Sequence, residues 1–150
     1  MLLSEVGFDL RRFPNAKAFC AWLGLCPNNR VSGGRVLSSR TPKVVNRVSV
    51  MLRLAAVAIG RTDTCLGWFY RRKCVQLGPP GAATATARKL AAILYHLITR
   101  REHYVEPDLI EYQRRYHRHR TVKLSKQLEN LGYRVELTPL SESTTVVATC

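Results

Sequence analysis

Acid is what this chain lacks over most of its length. Between Leu10 and Arg101 the only acidic residue is Asp63, set against seventeen lysines and arginines. Metal-dependent phosphodiester cleavage needs several carboxylates around Mg²⁺, so this stretch does not supply that chemistry by itself. Cysteine is sparse as well. Cys20, Cys26, Cys65, Cys74 and Cys150 are odd in number and form no C-x-x-C pair, which argues against a zinc site and against a disulfide framework. A reduced, cytoplasmic protein is the expectation. There is no apolar run of 18 residues, and the opening MLLSEVGFDL has Glu5 and Asp9 but no basic stretch before its apolar part, so neither a membrane span nor a signal peptide is expected.

What the chain does have is positive charge. At 150 residues, with 46% hydrophobic residues, it is about one domain long and able to bury a core. Its formal net charge is +14. Self-repulsion on that scale normally persists because a polyanion neutralises it, so nucleic acid is the partner class indicated. The field belongs to the first two thirds, because Glu102, Glu106, Asp108 and Glu111 follow as a cluster. Acids gathered there suit the start of a helix.

Periodicity predicts a mainly α fold: a small helical domain with a long basic S-G-G loop, a long basic C-terminal helix and a short extended tail. Pro14 is placed to open a helix over 14–23, with Phe19, Trp22 and Leu23 on one face and Gly24 as its stop. From Cys26 to Arg40 the apolar period disappears, and Pro, Asn, Ser, Gly and Arg predict a loop too long for a compact domain without a purpose. Thr41 and Pro42 read as an N-cap and first-turn proline of a helix ending at Ile59 and Gly60. In that helix Lys43, Asn46, Ser49 and Arg53, with Arg47 beside them, would form a polar stripe facing whatever the loop faces. A helix from Thr64 to Leu77, stopped by Gly78-Pro79-Pro80, and another from Ala82 to Arg101 should pair as a hairpin around small alanines. Ala83, Ala87, Leu90, Leu94 and Leu97 are its expected inner face.

Pro107 can open a last helix that Gly132 ends. Its middle, QRRYHRHRTVK, is polar on all sides, so it projects into water or lies along a phosphate backbone. His117 and His119 are two apart, hence on different helix faces, and predict no metal site. The segment GYRVELTPL alternates like one strand, and SESTTVVATC reads as a frayed end. The expected organisation is a connecting segment over 1–12, a helical domain over 13–105, a basic helix and tail over 106–140, and disorder over 141–150.

The stretch VSGGR is where chemistry could reside. A seryl hydroxyl is a poor nucleophile unless a base, a metal or nearby cations assist it. Gly33 and Gly34 would let backbone amides approach a phosphate, and Arg30, Arg35 and Arg40 could donate paired hydrogen bonds to its oxygens. Local chemistry alone does not separate Ser32 from Ser38 and Ser39, nor a nucleophile from a serine that only caps a turn.

The segment FPNAKAFCAWLGLCPNNRVSGGRVLSSRTPKVVNRVSVMLRLAA, followed by LGWFYRRKCVQLGPPGAATATARKLAAILYHLI, resembles the C-terminal domain of the insertion-sequence transposases of IS family one hundred and ten, which include the Piv-type DNA invertases. With YQRRYHRHRTVKLSKQLENLGY the resemblance covers roughly Phe13 to Leu140, and its W-L-G-L turn, S-G-G loop, L-R-x-A-A helix and A-x-A-R-K-L helix come in the family's order. The resemblance implies a recombinase in which an N-terminal RuvC-like domain holds Mg²⁺ with a D-E-D-D set. The helical C-terminal domain contributes a serine that attacks DNA and becomes covalently linked. The matching position is Ser32, with Gly33 and Gly34 as the loop glycines. Arg53, Arg88 and Lys89 fall in helices where contact with a DNA or RNA backbone is implied, beside the loop cations Arg30, Arg35, Arg40, Lys43 and Arg47.

Val45 stands where the family often has a glycine, which leaves the turn before Asn46 altered or already helical. The RuvC-like domain has no counterpart in the sequence, so no cofactor is expected in this chain and Mg²⁺ only with that domain. The expectation is a truncated transposase domain that binds DNA, and in some members a structured guide RNA, and that works as a homo-oligomer or with a full-length transposase. It would be cytoplasmic and nucleoid-associated in a bacterium or archaeon. The alternatives are a stand-alone nucleic-acid-binding or interaction module acting in trans on a full-length transposase, and a decayed remnant.

Overall fold

The structure, a computed structural model, describes residues 10, 12–38, 40–42 and 46–138. The fold is mainly helical, in the order α1 (Ala16–Trp22), β1 (Arg30–Ser32), β2 (Arg35–Ser38), α2 (Arg47–Ile59), α3 (Cys65–Arg100) and α4 (Leu109–Asn130). Two compact units divide at Leu109 and Ile110.

Helix α1 starts two residues later than Pro14 suggests. Asn15 is its N-cap, and its side chain accepts a hydrogen bond from the Ala18 N–H at 2.8 Å. The helix buries Phe19 and Cys20 and leads through Leu23 to Leu25, all nearly sealed from water. Phe13, Phe19, Trp22 and Tyr95 form a ring cluster with centroids 5.2 to 6.3 Å apart. The Tyr95 hydroxyl donates to the Phe13 carbonyl at 2.9 Å, which satisfies the one polar atom that this cluster buries.

Helix α2 corrects a second boundary. Its N-cap is Asn46, which accepts from the Val48 N–H at 2.9 Å, and not Thr41. Lys43, Val44 and Val45 lie outside the described residues, and with them the expected effect of Val45 on the turn. Of the expected polar stripe, Arg47 is exposed, Arg53 is half-buried, Ser49 is fully buried and Asn46 is occupied with capping, while Lys43 lies outside the described residues.

Helix α3 is two helices joined at a break. Gly78 has φ 73° and ψ 168°, and Pro79 and Pro80 follow it inside the second helix's first turn, where a missing N–H costs nothing. A continuous helix would hold Phe69 and Lys89 about 30 Å apart at 1.5 Å per residue. Instead the Lys89 ammonium lies 4.6 Å from the Phe69 ring centroid, so the chain folds back at Gly78 into the expected hairpin. Its second arm packs on α1 and α2 through Ala87, Ala91 and Tyr95. The expected face overlaps this row: Ala83 and Ala87 are buried, and Leu90 and Leu94 pack against the core. Leu90, Leu94 and Leu97 also line an apolar groove of about 520 Å³ with Leu52, Ile59 and Leu66. Alanines occupy the inner row because a side chain of one carbon lets helix axes approach closely.

Glu106 has a job that its sequence position did not suggest. Its Oε1 accepts from the Cys65 N–H at 3.0 Å, at the positive end of α3, beside the Thr64 cap. Burial, with Glu106 close by, pushes the Tyr104 hydroxyl up to about 12. The acid cluster thus serves helix ends; Glu111 lies in the first turn of α4 and faces Arg115 at 3.7 Å.

In the second unit, α4 buries none of its side chains and ends at Asn130; in the turn that follows, Gly132, with a φ of 88°, lets the Tyr133 N–H reach the Leu128 carbonyl at 3.1 Å. The expected strand after it is not found among the described residues, since 133–138 pairs with nothing. Residues 139–150 lie outside the described residues, as does the expectation of disorder there. No described helix is long and apolar enough to cross a membrane.

Candidate nucleic-acid interface

The basic loop is a β-hairpin. Strands β1 and β2 pair antiparallel in the register Arg30 with Ser38, Val31 with Val36, and Ser32 with Arg35. Gly33 and Gly34 form the two-residue turn with φ of 55° and 75°, the two positive angles that a type I′ turn requires. Nothing lies within 4 Å of where a Cβ would sit on either glycine. They are therefore needed for backbone conformation, not for space, and their peptide units are open to an approaching ligand.

Register decides which side chains meet. Directly paired residues point to the same face, so Ser32 and Arg35 stand side by side next to the turn, both exposed. Val31 and Val36 share the opposite face and are each 59% exposed. The strands pack mainly on each other, and the Asn28 N–H, donating to the Arg40 carbonyl at 3.0 Å, ties the ribbon's base together. No hydrogen-bond partner of the Ser32 hydroxyl is found among the described residues.

At the base of the ribbon lies an open cleft of about 650 Å³. Leu25, Pro27, Leu77 and Pro80 give it apolar walls, and Arg40, Arg88, Asn29 and Thr41 bring polar groups to it. Two cations far apart in sequence are thus brought together, Arg40 from the hairpin and Arg88 from the second arm of α3. The Arg88 carbonyl accepts from Cys20 Sγ at 3.6 Å, tying this turn of α3 to α1. Burial, with the neighbouring Cys26 sulfur, pushes the Cys20 thiol up to about 11. That makes it an inert core group.

The other expected contacts fall elsewhere. Lys89 lies against Phe69 on the inner side of the α3 hairpin, and Arg53 is half-buried in α2; neither lines the cleft. Arg47 is exposed at the first position of α2. Arg30 begins β1, while Lys43 and Ser39 lie outside the described residues. Asn29 and Thr41 are cleft residues that sequence reading missed, because nothing local marks a loop residue as lining a cleft whose far wall is 36 or more positions away. Asp63, the lone acid of the basic stretch, is used in a turn. Arg71 donates to the Gly60 and Thr62 carbonyls at 3.1 and 2.9 Å and reaches Asp63 at 3.5 Å.

Among the described residues no three His, Cys, Asp or Glu side chains are grouped so that they could hold a metal. Compared with known proteins, residues 1–71 match the family model described as Transposase IS116/IS110/IS902 family. No curated protein and no solved structure matches the chain.

Proposed function

We propose, from the match of residues 1–71 to the model described as Transposase IS116/IS110/IS902 family, that the chain is a transposase domain that grips DNA with its basic ribbon and presents Ser32 to a backbone phosphate. The observation that carries this reading is the register that sets Ser32 beside Arg35 at an exposed glycine turn, in a stretch almost free of acid. Arg35 can donate to non-bridging phosphate oxygens, and the open peptide units of Gly33 and Gly34 can stabilise negative charge as it develops. Arg40 and Arg88 extend the positive track into the cleft below. Structured RNA is a second polyanion for the same surface.

In this reading the Ser32 Oγ forms a bond to phosphorus while one bridging oxygen leaves. The products are a seryl phosphodiester and a strand end that takes up the proton. Arginines orient the phosphate but do not accept the seryl proton, so the base comes from another polypeptide segment. A homo-oligomer, or mixed assembly with a complete transposase, would provide it.

The purified chain should bind duplex DNA with an affinity that falls roughly a thousandfold between 50 and 200 mM salt, if about six phosphates are contacted. Salt-insensitive or absent binding, measured by fluorescence anisotropy, would overturn the proposal. The nucleophile is tested by mixing the chain with a complete transposase of the family whose own loop serine is replaced by alanine. A covalent protein–DNA adduct carrying this chain is expected, and it should vanish with Ser32→Ala. If binding persists without any adduct, the reading becomes a nucleic-acid-binding module acting in trans.

A further inference from the structure

The ribbon carries a feature that phosphate binding does not use. Arg30 pairs with Ser38 and Val31 with Val36, so Leu37 has no partner in the register: it is the extra residue of a β-bulge. Bulges re-aim a side chain and sharpen the twist of a strand. Leu37 is 70% exposed, and Val31 and Val36 beside it are also largely in water. Val31 and Val36 thus share one face of the ribbon, Leu37 is bulged next to Val36, and the sequence from Leu10 to Thr62 holds no acid.

Two kinds of occupant could cover such a patch, and charge chooses between them. An apolar protein surface would leave the cations around the patch, Arg35 on the ribbon's other face and Arg40 at its base, without a counter-charge. A nucleic acid neutralises them with its phosphates, and its one apolar part is the base stack. Two-stranded ribbons fit a duplex groove, and apolar wedges inserted between base steps are a known way to kink a duplex.

We propose that Leu37 is a wedge that enters a base step and unstacks it. The proposal rests on the nucleic-acid reading above and adds to it a deformation of the bound strand. Unstacking loosens the backbone at that step, so that the adjoining phosphodiester is freer to turn. The cost of unstacking falls on the binding energy, and the Leu37 contact offsets it. Leu37 should therefore contribute little to affinity and much to distortion.

The full-length chain is titrated into end-labelled duplexes that carry 2-aminopurine at successive positions. Anisotropy reports binding, and 2-aminopurine fluorescence reports unstacking. Binding of the native chain should raise the fluorescence severalfold at one step. Leu37→Ala should bind within about threefold of the native affinity, because lost contact and avoided unstacking offset each other, yet abolish that rise. Leu37→Met, which keeps a long apolar side chain, should restore it. Far-UV circular dichroism checks that each variant keeps its helices.

The wedge is overturned if the native chain binds without any rise, or if Leu37→Ala keeps the rise; in either case the phosphate-binding reading stands. Self-association of the native chain that Leu37→Ala abolishes, with the rise unchanged, would assign the patch to a protein partner and overturn the wedge. Failure to bind DNA at any salt would remove both readings together.

Discussion

Gly67 and Gly34 are the same residue put to opposite uses, and they mark the difference between the helical core and the ribbon. A Cβ on Gly67 would run into the carbonyl oxygens of Thr62 and Ile59, so there glycine permits close approach of backbone to backbone. At Gly34 a Cβ would meet nothing, and the constraint is the φ of 75°. The core is determined by space and the ribbon by conformation. This teaches where the protein keeps its stability and where it keeps its reactive surface: the helices exclude water, and the hairpin adds almost nothing to that exclusion.

The largest expected effect comes from filling the space. Gly67→Ala should cost about 3 kcal/mol of global stability, since overpacking against backbone has no flexible neighbour to give way. Urea unfolding measures it, and a cost below about 1 kcal/mol would show that the turn at 59–62 yields and that the contrast is overstated. Gly34→Val places a β-branched residue at positive φ and should strain the turn by about 2 kcal/mol. That strain should appear as loss of the hairpin's amide resonances and of DNA affinity, with the urea midpoint of the helices unchanged. Gly33→Asn, a residue that tolerates positive φ, should leave both intact.

Smaller effects sharpen the same contrast. Tyr95→Phe removes the donor to the Phe13 carbonyl and should cost about 1 kcal/mol of core stability. Arg35→Ala should change stability by less than about 0.5 kcal/mol while weakening DNA binding, because its side chain is exposed and makes no ion pair among the described residues. Smallest is a reactivity. Cys20, 2% exposed and with its thiol pushed up to about 11, should resist alkylation at pH 8 while partly exposed Cys26 reacts. Its rate should keep rising as the solution approaches pH 11, where the thiolate finally forms in the folded chain. Mass spectrometry of the modified peptides reads both.

The helices were largely legible because their signals are local. The break at Gly78-Pro79-Pro80 and the Thr64 cap follow from residue types within a few positions. Start sites were less so. Thr41-Pro42 and Asn46 are both acceptable N-caps, and only the Val48 N–H meeting Asn46 selects one. For the hairpin the signal was present: two glycines stand between Val31-Ser32 and Arg35-Val36, a pattern that suits a type I′ turn. Strands of three and four residues are too short to show a convincing alternation, so the polar composition read as a loop.

The sequence by itself determined the positive field, the scarcity of carboxylates, the helical class and the identity of the S-G-G turn, because each follows from residue type or from period along the chain. Only the tertiary structure decided that Ser32 faces with Arg35, that Leu37 is unpaired in the ribbon, and that Arg40 shares a cleft with Arg88 while Lys89, its neighbour in sequence, turns to Phe69. Cross-strand register and the fold-back at Gly78 set those meetings. Both are relations between distant residues, and a one-position shift in either would exchange which side chains meet.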